Sequence, residues 1–539
     1  MYKPVDTSGL DGSNEGGRSL LGQIRSAVGI GSSTESNISN GNGLRNPFAE
    51  GEENPFILDE EEEGENEPTG RQSNDQDVPK HSRHGSSLSN THSQSFDIND
   101  EDALLDDYEN EGNDNTGSLG HNEFLLSLAN QTDKSNLKMA FMNMANSIIG
   151  AGIIGQPYAV RQAGLLAGIF LLLSLTVVID WTIRLMVTNA KMSGTDTFQA
   201  TVKHCFGKPG LIAISLAQCL FAFGGSMAFC VIIGDTIPHV ISALFPSLKT
   251  IPVISTLTSR NGIIILFTMC ISTPLALNRN ISHLAKASGL ALISMLIIVL
   301  TVLIRGPQIG GGPDAHFTPA TLTINWGIFQ AVSVISFAFV CHHNSLIIYD
   351  SLKTPTMDRF ARVTHWSTGV SMVACMAMGL AGFLVFKDNT KGNVLNNFPP
   401  NDTMANVARF CFGLNMLTTL PLEIFVCREV IWIYFFPDGP IATTKQHAIL
   451  TLTLIVSAMT VSLFTCNLGA ILELVGASSA CTMAYILPPM CYLKLSRKRL
   501  IHKLSSYACI GFGVVVMILS SAQTIAKLFN DSEENHCTV

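Results

Sequence analysis

A handful of polar and ionisable residues fall inside stretches that are otherwise apolar, and their spacing says what chemistry they could do. Glu423 closes the run Thr418-Thr-Leu-Pro-Leu-Glu, so Thr419 and Glu423 stand four apart and share one helix face. A carboxyl group in apolar surroundings disfavours its charged form, which suits it to take up and release a proton. Glu473 is a second candidate of that kind. His342 and His343 lie in the run Phe337-Ala-Phe-Val-Cys-His-His-Asn-Ser345. Imidazole titrates near neutral pH and could pass protons, or both rings could stay neutral against backbone groups. Asp180 and Arg184, also four apart, read as a local ion pair. No nucleophile, metal-binding or phosphate-binding motif accompanies these groups, which argues against an enzyme.

A second kind of site needs no reactive side chain. The stretch Asn146-Ser-Ile-Ile-Gly-Ala-Gly-Ile-Ile-Gly-Gln-Pro-Tyr158 sits in an apolar run long enough to cross a bilayer, yet it holds Gly150, Gly152, Gly155 and Pro157. Glycine weakens a helix, and proline removes a donor and clashes with the preceding turn. In lipid, broken helix is tolerated only where protein or a watery cavity covers the freed backbone groups. The stretch therefore reads as two half-helices joined by a bare hinge, the arrangement that forms a midplane binding site. The same glycines could instead serve only close helix packing. The four polar residues His342 to Ser345 cannot all face lipid and suggest a second interrupted helix, although no Gly or Pro marks it. In the third apolar run, Phe221-Ala-Phe-Gly-Gly-Ser-Met227 could pass close to a bound molecule or simply pack.

These residues need a membrane to position them. The 539 residues are 47% hydrophobic and only 14% charged, where soluble domains carry roughly 25%. Each bilayer crossing takes roughly 20 apolar residues. Eleven runs qualify: 136–160, 163–188, 209–234, 261–278, 284–304, 326–349, 366–386, 405–436, 448–465, 468–493 and 507–528. The eighth exceeds one crossing and must tilt, bend or overhang. The two interrupted runs are the first and the sixth, the offset expected of two inverted five-helix repeats. Lys and Arg favour the loops on the side of the N-terminal tail, with Lys494, Arg497, Lys498, Arg499 and Lys503 in one of them, so that side reads as cytosolic. The chain start has no basic stretch followed by an apolar core, so no cleaved leader is expected. Residues 131–530 thus form the membrane domain, and 531–539 a short tail outside or in a lumen. The glycosylation sequons at Asn401 and Asn530 fall on that far side.

Residues 1–130 are a different body. They hold 7 Lys and Arg against 26 Asp and Glu, so the tail carries −19 and the remainder +10 of an overall −9. Poor in aromatics, the tail cannot bury enough apolar area to fold and reads as disordered. Short patterns punctuate it. Asn46-Pro-Phe48 and Asn54-Pro-Phe56 resemble the turn read by endocytic adaptors, and the acidic run ending in Leu104-Leu105 has the form of a dileucine sorting signal. Together they point to sorting adaptors as partners and to traffic through endosomes toward a vacuole or lysosome. The 13 cysteines lie mostly in apolar runs without metal or redox spacing and read as small buried hydrophobes.

The hinge sequence Asn146-Ser-Ile-Ile-Gly-Ala-Gly-Ile-Ile-Gly resembles the signature of the amino acid/auxin permease family, and the Phe-Val-Cys-His-His and Thr-Leu-Pro-Leu-Glu segments fit it too. The closest likeness is to fungal vacuolar and sodium-coupled neutral amino-acid transporters. The resemblance implies an all-α polytopic protein of eleven spans, a LeuT-like 5+5 inverted repeat, and ion-coupled amino-acid transport without a cofactor. It also implies ion-coupling roles for Asn146 and Thr419, which match positions of a sodium site, whereas Glu423 departs from many sodium-coupled relatives and favours H+ over Na+. On this reading the substrate carboxylate meets backbone N–H groups of Ile149, Gly150, Ala151 and Gly152. Its amino group meets oxygens from Phe339 to His342 and Thr418. With no acidic residue in the hinge, the substrate is expected to be neutral. The reading is a transporter exporting amino acids from vacuole to cytosol. Its alternatives are sodium-coupled uptake at the plasma membrane and an amino-acid sensor signalling through the tail.

Overall fold

The computed structural model describes residues 136–247, 251–278, 288–312, 315–436, 442–497 and 499–530. The tail patterns at Asn46, Phe48, Asn54, Phe56, Leu104 and Leu105, and the segment 531–539, lie outside the described residues. Among those described, eleven helices are long and apolar enough to cross a membrane: Leu137–Ala163, Leu165–Ser193, Phe198–Leu244, Arg260–Leu277, Ala291–Ile309, Ile328–Ser351, Met357–Asn389, Thr403–Phe435, Thr444–Phe464, Leu468–Leu495 and Leu504–Phe529. They are numbered here as spans 1 to 11. Each of the eleven expected runs has its helix.

The surface explains why water is not their solvent. On span 2, Leu166, Phe170, Leu173 and Val177 recur at helical spacing and remain largely exposed. A continuous apolar stripe of this kind is stable only against lipid tails. Inside, spans 3, 6 and 10 are the most buried and span 11 the least. Spans 3 and 8 share the most extensive helix contact. Span 3 is longer than expected because Phe198–Leu244 contains a break at Gly207, whose φ of 65° is open to glycine and costly for other residues. Pro209 then starts the second piece. Span 8 is one 33-residue helix running through Pro421, about 50 Å long by its rise, so it overhangs the bilayer core instead of breaking.

Between spans 7 and 8 the chain packs down on the bundle. Arg409, fully buried on span 8, donates to the carbonyls of Leu395 and Phe398 at 2.8 Å and to Asn406 Oδ1 at 2.7 Å. Asp402 caps span 8 by accepting from the Ala405 amide and pairs with Arg305. Asn401, the expected glycosylation site, is exposed in the turn just before that cap. The buried Asp235 of span 3 ties this segment to span 4, accepting from Asn396 at 2.9 Å and facing Arg260 at 3.5 Å. Asp180 and Arg184 form the expected pair at 2.8 Å, and His365 Nδ1 of span 7 stands 3.0 Å from the same carboxylate. Eleven of the described cysteines are free, but Cys466 is disulfide-bonded and Cys270 is exposed, so the cysteines are not uniformly buried hydrophobes.

Candidate functional site: the crossing of two broken spans

Spans 1 and 6 are both interrupted. Span 1 runs as α-helix over Leu137–Ile149, passes Gly150, tightens into a 3-10 turn over Ala151–Gly155 and resumes as α-helix over Gln156–Ala163. Span 6 is helical over Ile328–Phe339, extends at Val340, and restarts at His342. The polar run therefore begins at the break, although neither Gly nor Pro makes it.

The breaks lie against each other. A Cβ built on Gly152 would stand 2.3 Å from the Cβ of Ala338 and 2.4 Å from its Cα, so the hinge of span 1 touches the last turn before the break of span 6. On the other side of the breaks, Asn344 Nδ2 donates to Ser147 Oγ at 3.1 Å. Two helix C-termini and two helix starts thus meet in one place. Each end leaves N–H or C=O groups without intrahelical partners, and the ends carry partial charge of opposite sign. Such a place suits a small molecule bearing both an anion and a cation. Gln156 returns its side chain to the hinge, donating through Nε2 to the Gly152 carbonyl at 3.0 Å, while its Oε1 is buried without a partner.

The side chains singled out from sequence fall in three groups. Ile149, Ala151 and Gly152 are buried at the crossing and Gly150 is half-buried there. Phe339 is fully buried just ahead of the break. His342 is also fully buried, but its Nε2 lies 3.0 Å from Thr182 Oγ1, so its ring is engaged with span 2. Asn146 is half-buried in the last turn of the first half-helix. On span 8, Thr418 and Thr419 both donate to the Asn415 carbonyl, at 2.9 and 2.7 Å. Their hydrogens are spent on their own helix, which leaves the oxygens as acceptors. Glu423 lies beside Gly225 of span 3, and its Oε2 is buried without a hydrogen-bond partner.

Glu473 has the opposite character. It is fully buried on span 10 and accepts from Tyr158 Oη at 2.7 Å, Thr524 Oγ1 at 3.0 Å, Gln330 Nε2 at 3.2 Å and Gln162 Nε2 at 3.4 Å. Lys527 of span 11 donates to the same Tyr158 oxygen at 2.6 Å. These donors come from spans 1, 6 and 11, so the carboxyl fastens three helices to span 10 and has no free oxygen to offer a proton. Sequence reading had no signal for these donors, nor for the Ser147–Asn344 bond. Gln156 carried only the general flag of a polar residue in an apolar span.

Eleven spans with a lipid-compatible exterior, holding two broken helices crossed at the centre, make a polytopic integral membrane protein with an internal site built from backbone ends. A family model described as transmembrane amino acid transporter protein matches residues 133–526. The chain belongs to that family, whose members are transporters and not enzymes. It is 48% identical over 423 residues to vacuolar amino acid transporter 2 of Saccharomyces cerevisiae, covering 75% of this chain and 86% of that one. It is 38% identical over 397 residues to the putative sodium-coupled neutral amino acid transporter 11 of Danio rerio, covering 72% and 86%. The protein of the same name from Rattus norvegicus is 36% identical over 408 residues, covering 75% and 88%.

Proposed function

We propose that this protein carries neutral amino acids across a vacuolar membrane by alternating access, with protons moving from lumen to cytosol to drive export. The observation that carries the reading is the contact of Gly152 with Ala338, which puts the unpaired ends of spans 1 and 6 in one place. The substrate carboxylate takes the N–H groups of Ala151 and Gly152 at the start of the second piece of span 1. Contrary to the sequence expectation, the Gly150 N–H is spent on the Asn146 carbonyl at 3.1 Å and Ile149 closes the first half-helix, so these two line the site without donating to it. The ammonium group takes the carbonyls released before the break at Phe339, with His342 and Thr418 at the margin. Spans 1 and 6 are five apart, so we read the bundle as two inverted five-span repeats of the LeuT-like kind. The location rests on the vacuolar relative at 48% identity, and the Lys and Arg bias toward the tail-side loops supports an N-terminus in the cytosol and Asn401 in the lumen.

Glu423 is the coupling group on this reading, since its Oε2 is buried with no hydrogen-bond partner among the described residues. A second reading, sodium coupling through Asn146 and Thr419, is favoured by the names of the relatives at 36–38% identity. A third, a sensor acting through the tail, is separated by deleting residues 1–130. A transporter so shortened keeps its amino-acid flux in proteoliposomes, and loss of that flux with retained amino-acid binding would contradict the proposal.

A further inference from the structure

Among the described residues several polar atoms are buried without a hydrogen-bond partner, and two of them belong to side chains that meet the same turn of span 3. Glu423 of span 8 lies over Gly225, where a Cβ would stand 3.7 Å from its carboxyl carbon. Its Oε2 is buried and unpartnered. His343 of span 6 packs its ring on Phe221 with centroids 5.3 Å apart, and its Nδ1 is likewise buried and unpartnered. Phe221 and Gly225 are four residues apart. They share one face of span 3 and are separated by about 6 Å along its axis. At 225 a Cβ would rest in ordinary van der Waals contact with the carboxyl, so the two meet without a clash. At the neighbouring Gly224 the space is filled instead, and a Cβ there would fall 2.2 Å from Val475.

A buried polar atom left unpaired costs free energy, and two of them on one helix face ask for a common use. The other titratable groups on the surrounding elements are engaged elsewhere. Next to His343, His342 is held to Thr182 through its Nε2, although its Nδ1 is also buried without a partner among the described residues, and Cys341 meets Ser345. On span 2, Asp180 is held by Arg184 and His365. On span 10, Tyr485 meets Ser336. Cys219 and Cys427, of spans 3 and 8, each turn their thiol to the other's backbone carbonyl. Arg428 and His447, of spans 8 and 9, face each other at 3.4 Å.

We infer that His343 is the relay partner of Glu423, so that one exchangeable proton is held between the two across the Phe221–Gly225 turn. The inference rests on the proton-coupled reading above. Transfer takes the proton from the Glu423 carboxyl to the neutral imidazole Nδ1 through bridging water, since neither atom has a protein partner within hydrogen-bond distance, leaving a carboxylate and an imidazolium. The return step restores both. Only O–H and N–H bonds change, and no redox partner is needed. His343 and not His342 is assigned the role because His343 packs on Phe221 of span 3, while the Nε2 of His342 ties that ring to Thr182 of span 2.

The test is uptake of a neutral amino acid by the full-length protein in proteoliposomes under an imposed pH gradient, read as the pH profile of KM and of maximal rate and as protons moved per amino acid. Melting of the purified protein checks folding. His343→Gln should melt as the wild type does, yet lose at least about tenfold in gradient-driven rate and shift its pH profile, since positioned proton transfer contributes roughly 10²–10⁴-fold. If His343→Gln does not fold, His343→Asn, with its amide near the position of Nδ1, is read in its place. A wild-type profile and stoichiometry in the folded His343 variant, beside a Glu423→Gln variant that has lost gradient-driven uptake, would overturn the relay and leave proton coupling standing. Wild-type uptake that ignores the pH gradient and follows sodium would remove the proton-coupled reading and the relay with it.

Discussion

Gly152→Ala is the substitution that the crossing of spans 1 and 6 opposes most directly. The added Cβ would lie 2.3 Å from Ala338 Cβ, 2.4 Å from its Cα and 3.1 Å from its backbone nitrogen. Non-bonded carbons rest at about 3.5–4.0 Å, so the two spans must part by somewhat more than 1 Å. The opposing atoms include backbone of a helix that is buried from Gln330 to Phe339, which cannot swing aside as a long side chain would. Overpacking of this kind costs about 1–3 kcal/mol, and a shift of ~1 Å in a site whose function depends on positioned groups can lower its rate by about 10²-fold. Gly369 of span 7 is the control, because a Cβ there meets nothing within 4 Å. Alanine at that position should gain roughly 0.5–1 kcal/mol, since glycine weakens a helix interior. The assay is amino-acid flux in proteoliposomes at matched protein content, with melting followed in detergent. Gly152→Ala transporting at the wild-type rate with an unchanged melting temperature would refute the reasoning.

Two further outcomes follow from buried carboxylates. Glu473→Ala strips four donors from spans 1, 6 and 11 of their acceptor, and should cost roughly 2–5 kcal/mol, seen as a lower melting temperature. A variant that melts like the wild type would show that the network holds nothing together. Asp402 concerns pH. Burial pushes its carboxyl up, but the Ala405 amide and the Arg305 guanidinium more than offset this and hold it below the usual carboxylate range. A group so depressed stabilises the fold above its unfolded value of about 3.9, and that contribution fades as pH falls through the lower folded value. The melting temperature of Asp402→Asn, which keeps the cap, should therefore fall less than that of the wild type below about pH 4. Parallel curves for the two proteins would contradict this.

The span count and the first hinge were legible because they are local. Apolar runs of about twenty residues announce crossings, and Gly150, Gly152 and Pro157 announce a break wherever they fall in one. The sixth span was legible from polarity alone, since four polar residues in a row must be kept from lipid. What the sequence left hidden is pairwise and distant. Ser147 and Asn344 are 197 positions apart, and the donors of Glu473 come from three helices. Only the crossing of spans 1 and 6 makes the first a pair, and only the packing of four helices turns Glu473 from a candidate proton carrier into a fastening. The same holds for the two histidines. Adjacent in sequence, they look interchangeable, yet helical geometry sends His342 to Thr182 and His343 to Phe221. The break at Gly207 falls just before the third expected run, which begins at 209, and the helical piece ahead of it from Phe198 carried no apolar run to announce it.

Coupled amino-acid movement is the central claim, and flux of a neutral amino acid into proteoliposomes under separately imposed pH and sodium gradients tests it most directly. The account predicts flux that follows the pH gradient, ignores sodium, and is lost in Glu423→Gln. Flux driven by sodium alone, with Glu423→Gln unaffected, would contradict it and move the coupling role to Asn146 and Thr419.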